Sequence, residues 1–380
     1  MTYVPQLKSN PKRGKILLFM LCFHLLLTAC TRQPQEKLYK KSYFIFGTIV
    51  EVVLWHDNDN QVKSALDEVE QTLNAMHHQW HAWKPGRLTK INQALRAGKS
   101  FQLTNEESQF IKQVQQLSQQ SLATFNPAIG ELIHLWGFHT DNYPLLTPPP
   151  RDSDIQLFLK SLPTMAAITI KNQQISSNNR HIWLDFGGVA KGYAVDKAIA
   201  LLKKHGIKNA IVNAGGDLRS IGNKNNKNWR VAIAKPNSKE HVAIISVKGD
   251  ESIFTSGNYE RYKQFAGKRY AHIINPQTGY GVKHIVSATV IAENGTKADA
   301  AATAMVVAGT ENWFKVAQSM QLEQVLLIDE KGQCIVSDKL EHRLEKSQLD
   351  CQVVELRYNT QKLITTAQKH ENTRHRNLMR

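Results

Sequence analysis

Cysteine is scarce, with four in 380 residues, and none stands at a zinc-ligand or Cys-x-x-Cys redox spacing. That excludes a cysteine-built metal or redox centre. Acidic residues are also few, 32 against 48 Lys and Arg, which gives a formal net charge of +16. The basic excess is scattered, without zinc spacing and without aromatics interleaved with arginine, so it does not read as a nucleic-acid surface. A basic face toward anionic lipid or an anionic substrate accounts for it more simply. Familiar signatures are missing too: no G-x-G-x-x-G, no P-loop and no G-x-S-x-G elbow. Nothing repeats at a fixed period.

The N-terminus, by contrast, is orderly. Lys8, Lys12, Arg13 and Lys15 precede an apolar run from Ile16 to Leu27, broken by His24, which closes on Leu27-Thr28-Ala29-Cys30. Positive charge, apolar stretch, small residues and cysteine in that order form a bacterial export signal ending in a lipobox. Residues 1–29 are therefore expected to be cleaved and Cys30 to be acylated. Acyl chains would hold the protein on membrane lipid. The run itself is too short to span a bilayer, which takes about 17 to 25 residues. The expected place is the cell envelope facing the periplasm, with inner and outer membrane both open. Cys334 and Cys351 then remain. An oxidising compartment permits them to pair, but spacing alone does not establish the geometry, and the pairing stays open.

The composition, 42% apolar and 21% charged, is that of a globular protein long enough for one large domain or two lobes. A polar tether over 30–42 leads into a domain expected over 43–337. Tyr43 to Trp55, β-branched and aromatic around Gly47, reads as a hairpin. Val62, Ala65, Leu66, Val69, Leu73, Met76 and Trp80 recur at helical spacing and predict a helix over 61–80. A second helix is expected near 106–122, and the prolines between 139 and 153 mark a surface connection. Beyond it, strands are expected at 182–185, 209–212, 229–234, 242–247 and 285–292. Helices are expected at 191–204 and 297–307, with another near Trp313. A last hairpin pairs 325–328 with 334–336 around Lys331-Gly332. Residues 338–380 read as a charged extension with no placed element. The class is α+β with two lobes.

Glycines cluster at strand ends. Asp185-Phe186-Gly187-Gly188-Val189-Ala190-Lys191-Gly192 opens a helix, and Asn213-Ala214-Gly215-Gly216-Asp217 follows a strand. Such loops let backbone amides approach a phosphate, and a helix N-terminus adds favourable partial charge. Lys191 would supply a full one. For any single Gly pair, a tight turn is the alternative. Asp299 and Thr303, four apart in KADAAATAMVVAG, put a carboxylate and a hydroxyl on one helix face. Hard oxygen ligands of this kind suit Mg²⁺, while a dipole-stabilised Asp and a core Thr are the alternative. His272, before an Asn-Pro turn, is a candidate base. Thr255 to Tyr259 is polar enough to line a site.

Taken in order, TFNPAIGELIHLWGF, LDFGGVAKGYAVD, IVNAGGD, TSGNYERY, YAHIINPQTG and KADAAATAMVVAG resemble the ApbE family of FAD:protein FMN transferases. The resemblance covers roughly residues 43 to 337. It implies a two-lobed α+β domain, T-fold-related, with mixed sheets and flanking helices. It also implies FAD contacts from Phe46, Trp83, Thr124, Phe125, Asn126, Asp185, Lys191, His272 and Ile273. Mg²⁺ would be held by the Asp299 and Thr303 side chains and the Gly188 carbonyl, with His272 as the base. The implied reaction moves FMN from FAD to a Ser or Thr hydroxyl of an exported flavoprotein of a membrane redox complex, releasing AMP. The chain departs from the family pattern at Phe46-Gly47-Thr48, where Met-Gly-Thr is usual, and at Phe125-Asn126, where Phe-Asp is usual. An FAD pyrophosphatase releasing FMN and AMP is the alternative enzyme. A flavin-binding lipoprotein without catalysis is the alternative outside enzymes.

Overall fold

The computed structural model describes residues 36–357 apart from 225, 239, 248, 348 and 349. The signal, Cys30 and the chain beyond 357 lie outside the described residues. In chain order the strands are β1 Lys37–Ile45, β2 Thr48–His56, β3 Phe101–Gln102, β4 Ile168–Lys171, β5 Gln174–Ser177, β6 Asn209–Ala214, β7 Asp217–Ile221, β8 Trp229–Ala234, β9 His241–Val247, β10 Glu251–Gly257, β11 Tyr262–Phe265, β12 Lys268–Ala271, β13 Ile285–Ala292, β14 Gln324–Asp329, β15 Cys334–Ser337, β16 Leu344–Ser347 and β17 Cys351–Val354. The helices are α1 Asp59–Gln79, α2 Arg87–Arg96, α3 Asn105–Gln120, α4 Gly130–Leu135, α5 Asp152–Lys160, α6 Ala190–Lys204, α7 Gly295–Ser319 and α8 Asp338–Glu341.

A nine-stranded sheet ordered β1-β2-β6-β7-β10-β13-β14-β15-β17 forms the centre. Its pairings are antiparallel except for β15 with β17. Side chains alternate across it, as the two-residue period requires. Phe254, Val290 and Leu327 point into a core shared with the helices. Their neighbours Ile253, Ile291 and Leu326 point into a second core. That second core is closed by the small sheet β16-β9-β8, through Trp229, Val231, Ile233 and Ile245. A third, smaller core gathers Trp136, Phe138, Ile155, Phe158 and Ile274.

The helices form where spacing and caps call for them. α1 buries Val62, Ala65, Val69, Leu73 and Met76 as one stripe, and the Asn58 side chain accepts from Gln61 N at 3.1 Å. This satisfies one of the donors a helix start leaves open. α3 opens with a Thr104/Glu107 capping box, which satisfies two such donors reciprocally. α7 is rich in alanine; Ala298, Ala300, Ala301, Ala302 and Ala304 are buried, so small side chains let it lie close to the sheet. Gly309 leaves helical geometry at φ 68° and separates the two helical stretches expected there. No helix among the described residues is long and apolar enough to cross a membrane.

Three expectations are corrected. Residues 182–185 are not a strand of a sheet: Trp183 makes one isolated bridge with Ile129. The neighbour is a loop, and Asn92 pins Leu184 N and Leu184 O with its side-chain amide at 2.8 and 2.9 Å. Buried Ile182, Leu184 and Phe186 explain the strand-like alternation. The polar start is also shorter than expected, since β1 begins at Lys37, inside the expected tether. Finally, α8, β16 and β17 belong to the fold although they fall after 337. β17 lies beside β15 with Cys351 opposite Cys334, and the two form a disulfide. Four-residue elements carry too little periodicity to stand out in a charged stretch.

Candidate active site

The site is built where the starts of α6 and α7 meet. A side chain on Gly192 would bring its Cβ to 2.2 Å from the Gly295 carbonyl oxygen, so only glycine permits this approach. Asp196, one turn beyond Gly192 on α6, accepts from Gly295 N at 2.7 Å and Thr296 N at 2.9 Å. It thereby caps α7 from the neighbouring helix, and Arg219 steadies it at 2.5 Å. This clasp sets Asp299 and Thr303, one turn apart on α7, toward a cavity.

Asp299 is 3% exposed, and its Oδ2 accepts from Gly192 N at 2.9 Å. Burial pushes its carboxyl up to about 7; Lys191 opposes that rise and Asp217 adds to it. The Thr303 hydroxyl lies 3.2 Å from that of Ser256. Gly188 sits against it, since an added Cβ would be 3.0 Å from Thr303 Oγ1 and 3.4 Å from the Phe125 ring. Lys191 is ion-paired with the buried Asp217, whose other oxygen accepts from Thr255 N at 2.9 Å. Burial works against the Lys191 charge, but Asp217 and Asp299 outweigh it and hold the ammonium above its ordinary value.

His272 follows β12. Its backbone N–H donates to the Arg261 carbonyl at 3.1 Å, and its Nδ1 lies 3.0 Å from the same oxygen. A carbonyl only accepts, so Nδ1 carries the proton and Nε2 the lone pair. Burial, then the nearby Arg261, pushes the imidazole down to about 4. The ring is neutral near pH 7.

One cavity is lined by Trp83, Thr124, Phe125, Asn126, Asp185, Gly188, Lys191, His272, Ile273, Asp299 and Thr303 together. Of the residues expected to bind or react, Phe46 stands apart. It occupies the β1–β2 turn at φ 58° and packs edge-on against His77 at 5.6 Å, outside that lining. Asn126 is at the cavity, but its amide is engaged with Pro163 O at 2.9 Å and Ala128 N at 3.1 Å. Of the two readings left open for the Asn213–Asp217 segment, the structure shows the tight turn, here the turn of the β6–β7 hairpin. Gly215 and Gly216 take positive φ there, the Asn213 side chain accepts from Gly216 N at 2.8 Å, and neither glycine lines the cavity. It contributes Asp217 instead.

Phe138, Tyr143, Glu260 and Arg261 also line the cavity and were not singled out from the sequence. Arg261 had two available signals, its position just after the polar Thr255–Tyr259 stretch and its place inside the TSGNYERY segment. Tyr143 had none, being inside the proline-rich connection. Among the described residues no three His, Cys, Asp or Glu come together as a metal cage. One carboxylate and one hydroxyl, with Gly188 packed against that hydroxyl, instead suit a hard cation that keeps water and shares phosphate oxygens.

Aromatic walls above a buried carboxylate, an ammonium and a neutral imidazole define a site for a planar, phosphate-bearing molecule. Residues 46–326 match the family model described as the ApbE family, and the chain belongs to that family. It is 37% identical over 308 residues to an FAD:protein FMN transferase of Rhodobacter capsulatus, covering 80% of this chain and 58% of that protein. It is 27% identical to the FAD:protein FMN transferase of Vibrio cholerae, covering 80% of this chain and 91% of that one. The chain thus spans little more than half the length of the Rhodobacter relative. Among solved structures it resembles the ApbE protein of Thermotoga maritima, with TM-score 0.75 and 28% identity over 82% of this chain and all of that one. It also resembles the flavin transferase ApbE of Vibrio cholerae, with TM-score 0.71 and 27% identity over 81% of this chain and all of that one.

Proposed function

We propose that this protein is an FAD:protein FMN transferase of the cell envelope, moving FMN from FAD to a Ser or Thr hydroxyl of an acceptor flavoprotein. One observation carries the reading: Asp299, Thr303, Gly188, Lys191 and His272 border a single aromatic-walled cavity. FAD would place its isoalloxazine among Trp83, Phe125 and Tyr143, and its pyrophosphate near Lys191 and α6. The acceptor hydroxyl attacks the phosphorus on the FMN side, a new O–P bond forms, the P–O–P bridge breaks, and AMP leaves. His272 Nε2 takes the hydroxyl proton, a role worth about 10²- to 10⁴-fold. Lys191, held charged by Asp217, offsets charge on the phosphate oxygens.

Asp299, Thr303 and the Gly188 carbonyl are the residues that would hold Mg²⁺. When bound, the ion would supply Lewis-acid stabilisation of the phosphate oxygens. Asp299 is buried and accepts a hydrogen bond from Gly192 N, and a cation would favour its ionised form. The acceptor is read as an exported flavoprotein subunit of a membrane redox complex. Lipidation at Cys30 would keep the enzyme beside such partners, and the Cys334–Cys351 disulfide agrees with an oxidising compartment.

The test is to incubate the protein with FAD, with and without Mg²⁺, and with and without a candidate exported flavoprotein domain, following AMP by chromatography. AMP that requires both metal and acceptor supports transfer. AMP with free FMN and no acceptor requirement supports a pyrophosphatase instead. FAD binding with no AMP under any condition leaves a flavin-binding protein and overturns the enzyme reading.

A further inference from the structure

Behind the cavity wall lies a buried histidine that the proposed chemistry does not use. His139 Nε2 is 3.0 Å from Asp185 Oδ2, and the two side chains are 3% and 9% exposed. The other carboxylate oxygen of Asp185 accepts from Gly187 N at 2.8 Å. The His139 ring is stacked on Trp83, with centroids 5.0 Å apart and planes at 12°, and its far neighbour is Trp183 at 4.9 Å. Trp183 is itself fixed, donating from Nε1 to Ala82 O at 3.0 Å. Trp83 and Asp185 line the cavity; His139 does not. Its Nδ1 is buried with no hydrogen-bond partner among the described residues. The ring's one polar engagement is therefore with Asp185, donated from Nε2.

We propose that His139 is a positioning residue for flavin binding, holding the carboxylate of Asp185 and the indole of Trp83 as one rigid surface. Two donors, His139 and Gly187, fix the plane of the Asp185 carboxylate. Its remaining lone pairs are acceptors for an N–H or O–H of the flavin. Stacking sets the tilt of Trp83 for contact with the flavin's aromatic ring. Residues held this way act on substrate affinity through preorganisation. This inference rests on the flavin reading above and names what recognises the flavin end of the substrate.

The experiment uses the full-length protein, with FAD affinity read by flavin fluorescence quenching and KM and kcat read from AMP release. His139→Phe keeps a ring against Trp83 but removes the donor to Asp185; His139→Gln keeps a donor and removes the ring. Loss of a hydrogen bond to a charged group predicts that His139→Phe raises the Kd and KM for FAD by about 10- to 100-fold. Its kcat should stay within about threefold, because His139 touches no reacting atom. His139→Gln should recover part of that affinity through the restored donor, the remainder being lost with the stack on Trp83. Adding Asp185→Asn to His139→Phe should cost no more than Asp185→Asn alone, since both act through one contact. Unchanged FAD affinity in a folded His139→Phe, or effects that simply add to those of Asp185→Asn, would overturn the proposal. If His139→Phe does not fold, His139→Leu, which also lacks the donor, decides: a rise in Kd of about 10-fold or more supports the proposal, and an unchanged Kd overturns it. Because affinity is measured without turnover, a wild type that binds FAD but forms no AMP refutes the transferase reading and leaves this test intact.

Discussion

The two faces of the central sheet are built on opposite terms. The face under α6 and α7 carries Asp299, Lys191 and Asp217 within one cluster of titratable groups. The face under β8, β9 and β16 buries Trp229, Val231, Ile233, Ile245 and Val247 and none of that charge. The strands are shared, so the difference lies in what covers them. Two glycine-clasped helix starts can bring backbone donors and charged side chains to one point. A second sheet, interdigitated through alternate residues, leaves no room for them. Charge clustered on one face works against stability because a buried carboxylate resists ionisation. The apolar face works the other way, since it removes surface from water.

The sharpest break in that comparison is Asp299→Ala. Transfer activity should fall by about 10³-fold or more, while the thermal midpoint without metal stays level or rises, because an unfavourable buried carboxylate is gone. Steady-state AMP release and calorimetry check the two halves. His272→Gln should lower kcat by about 10²- to 10⁴-fold. In wild type, protonation of His272 sets an acid limb in kcat/KM near pH 4 rather than near its ordinary value of 6.5. Linkage gives the sign for stability. The folded pKa is depressed, so the unfolded chain takes up the proton first. The stability contribution is full above pH 6.5 and is lost as pH falls toward 4.

On the apolar face, Ile245→Ala should cost about 2 to 5 kcal/mol in denaturant unfolding, with activity per folded molecule unchanged. Cys351→Ser should cost about 3 kcal/mol for a loop of this size, again sparing FAD turnover. If either variant lost activity out of proportion to folded protein, the two faces would not be independent. The smallest effect is expected from Phe46→Ala. Its ring packs on His77 outside the cavity lining, so FAD affinity measured by fluorescence should change by less than about threefold.

Much of this was legible in the chain. Helical spacing placed α1, strand alternation placed β8 and β9, and the i, i+4 pair of Asp299 and Thr303 placed two cavity side chains on one helix face. What escaped has physical reasons. Asp217 acts through a long-range ion pair with Lys191, 26 residues away, and reading it inside a glycine loop hid that. His139 is isolated in a polar, proline-rich stretch, and its importance comes from rings that meet it only in three dimensions. The alternating burial of Ile182, Leu184 and Phe186 mimicked a strand because period-2 burial does not require a neighbouring strand. β17 needed the Cys334–Cys351 pairing to become visible, and spacing alone could not supply it.

The most direct test is the intact mass of a candidate acceptor domain after incubation with the protein, FAD and Mg²⁺, beside the AMP released. Transfer predicts an acceptor heavier by one FMN less water, AMP formed in step, and both lost in Asp299→Ala. AMP and free FMN beside an acceptor of unchanged mass, across the exported flavoproteins tried, would contradict it.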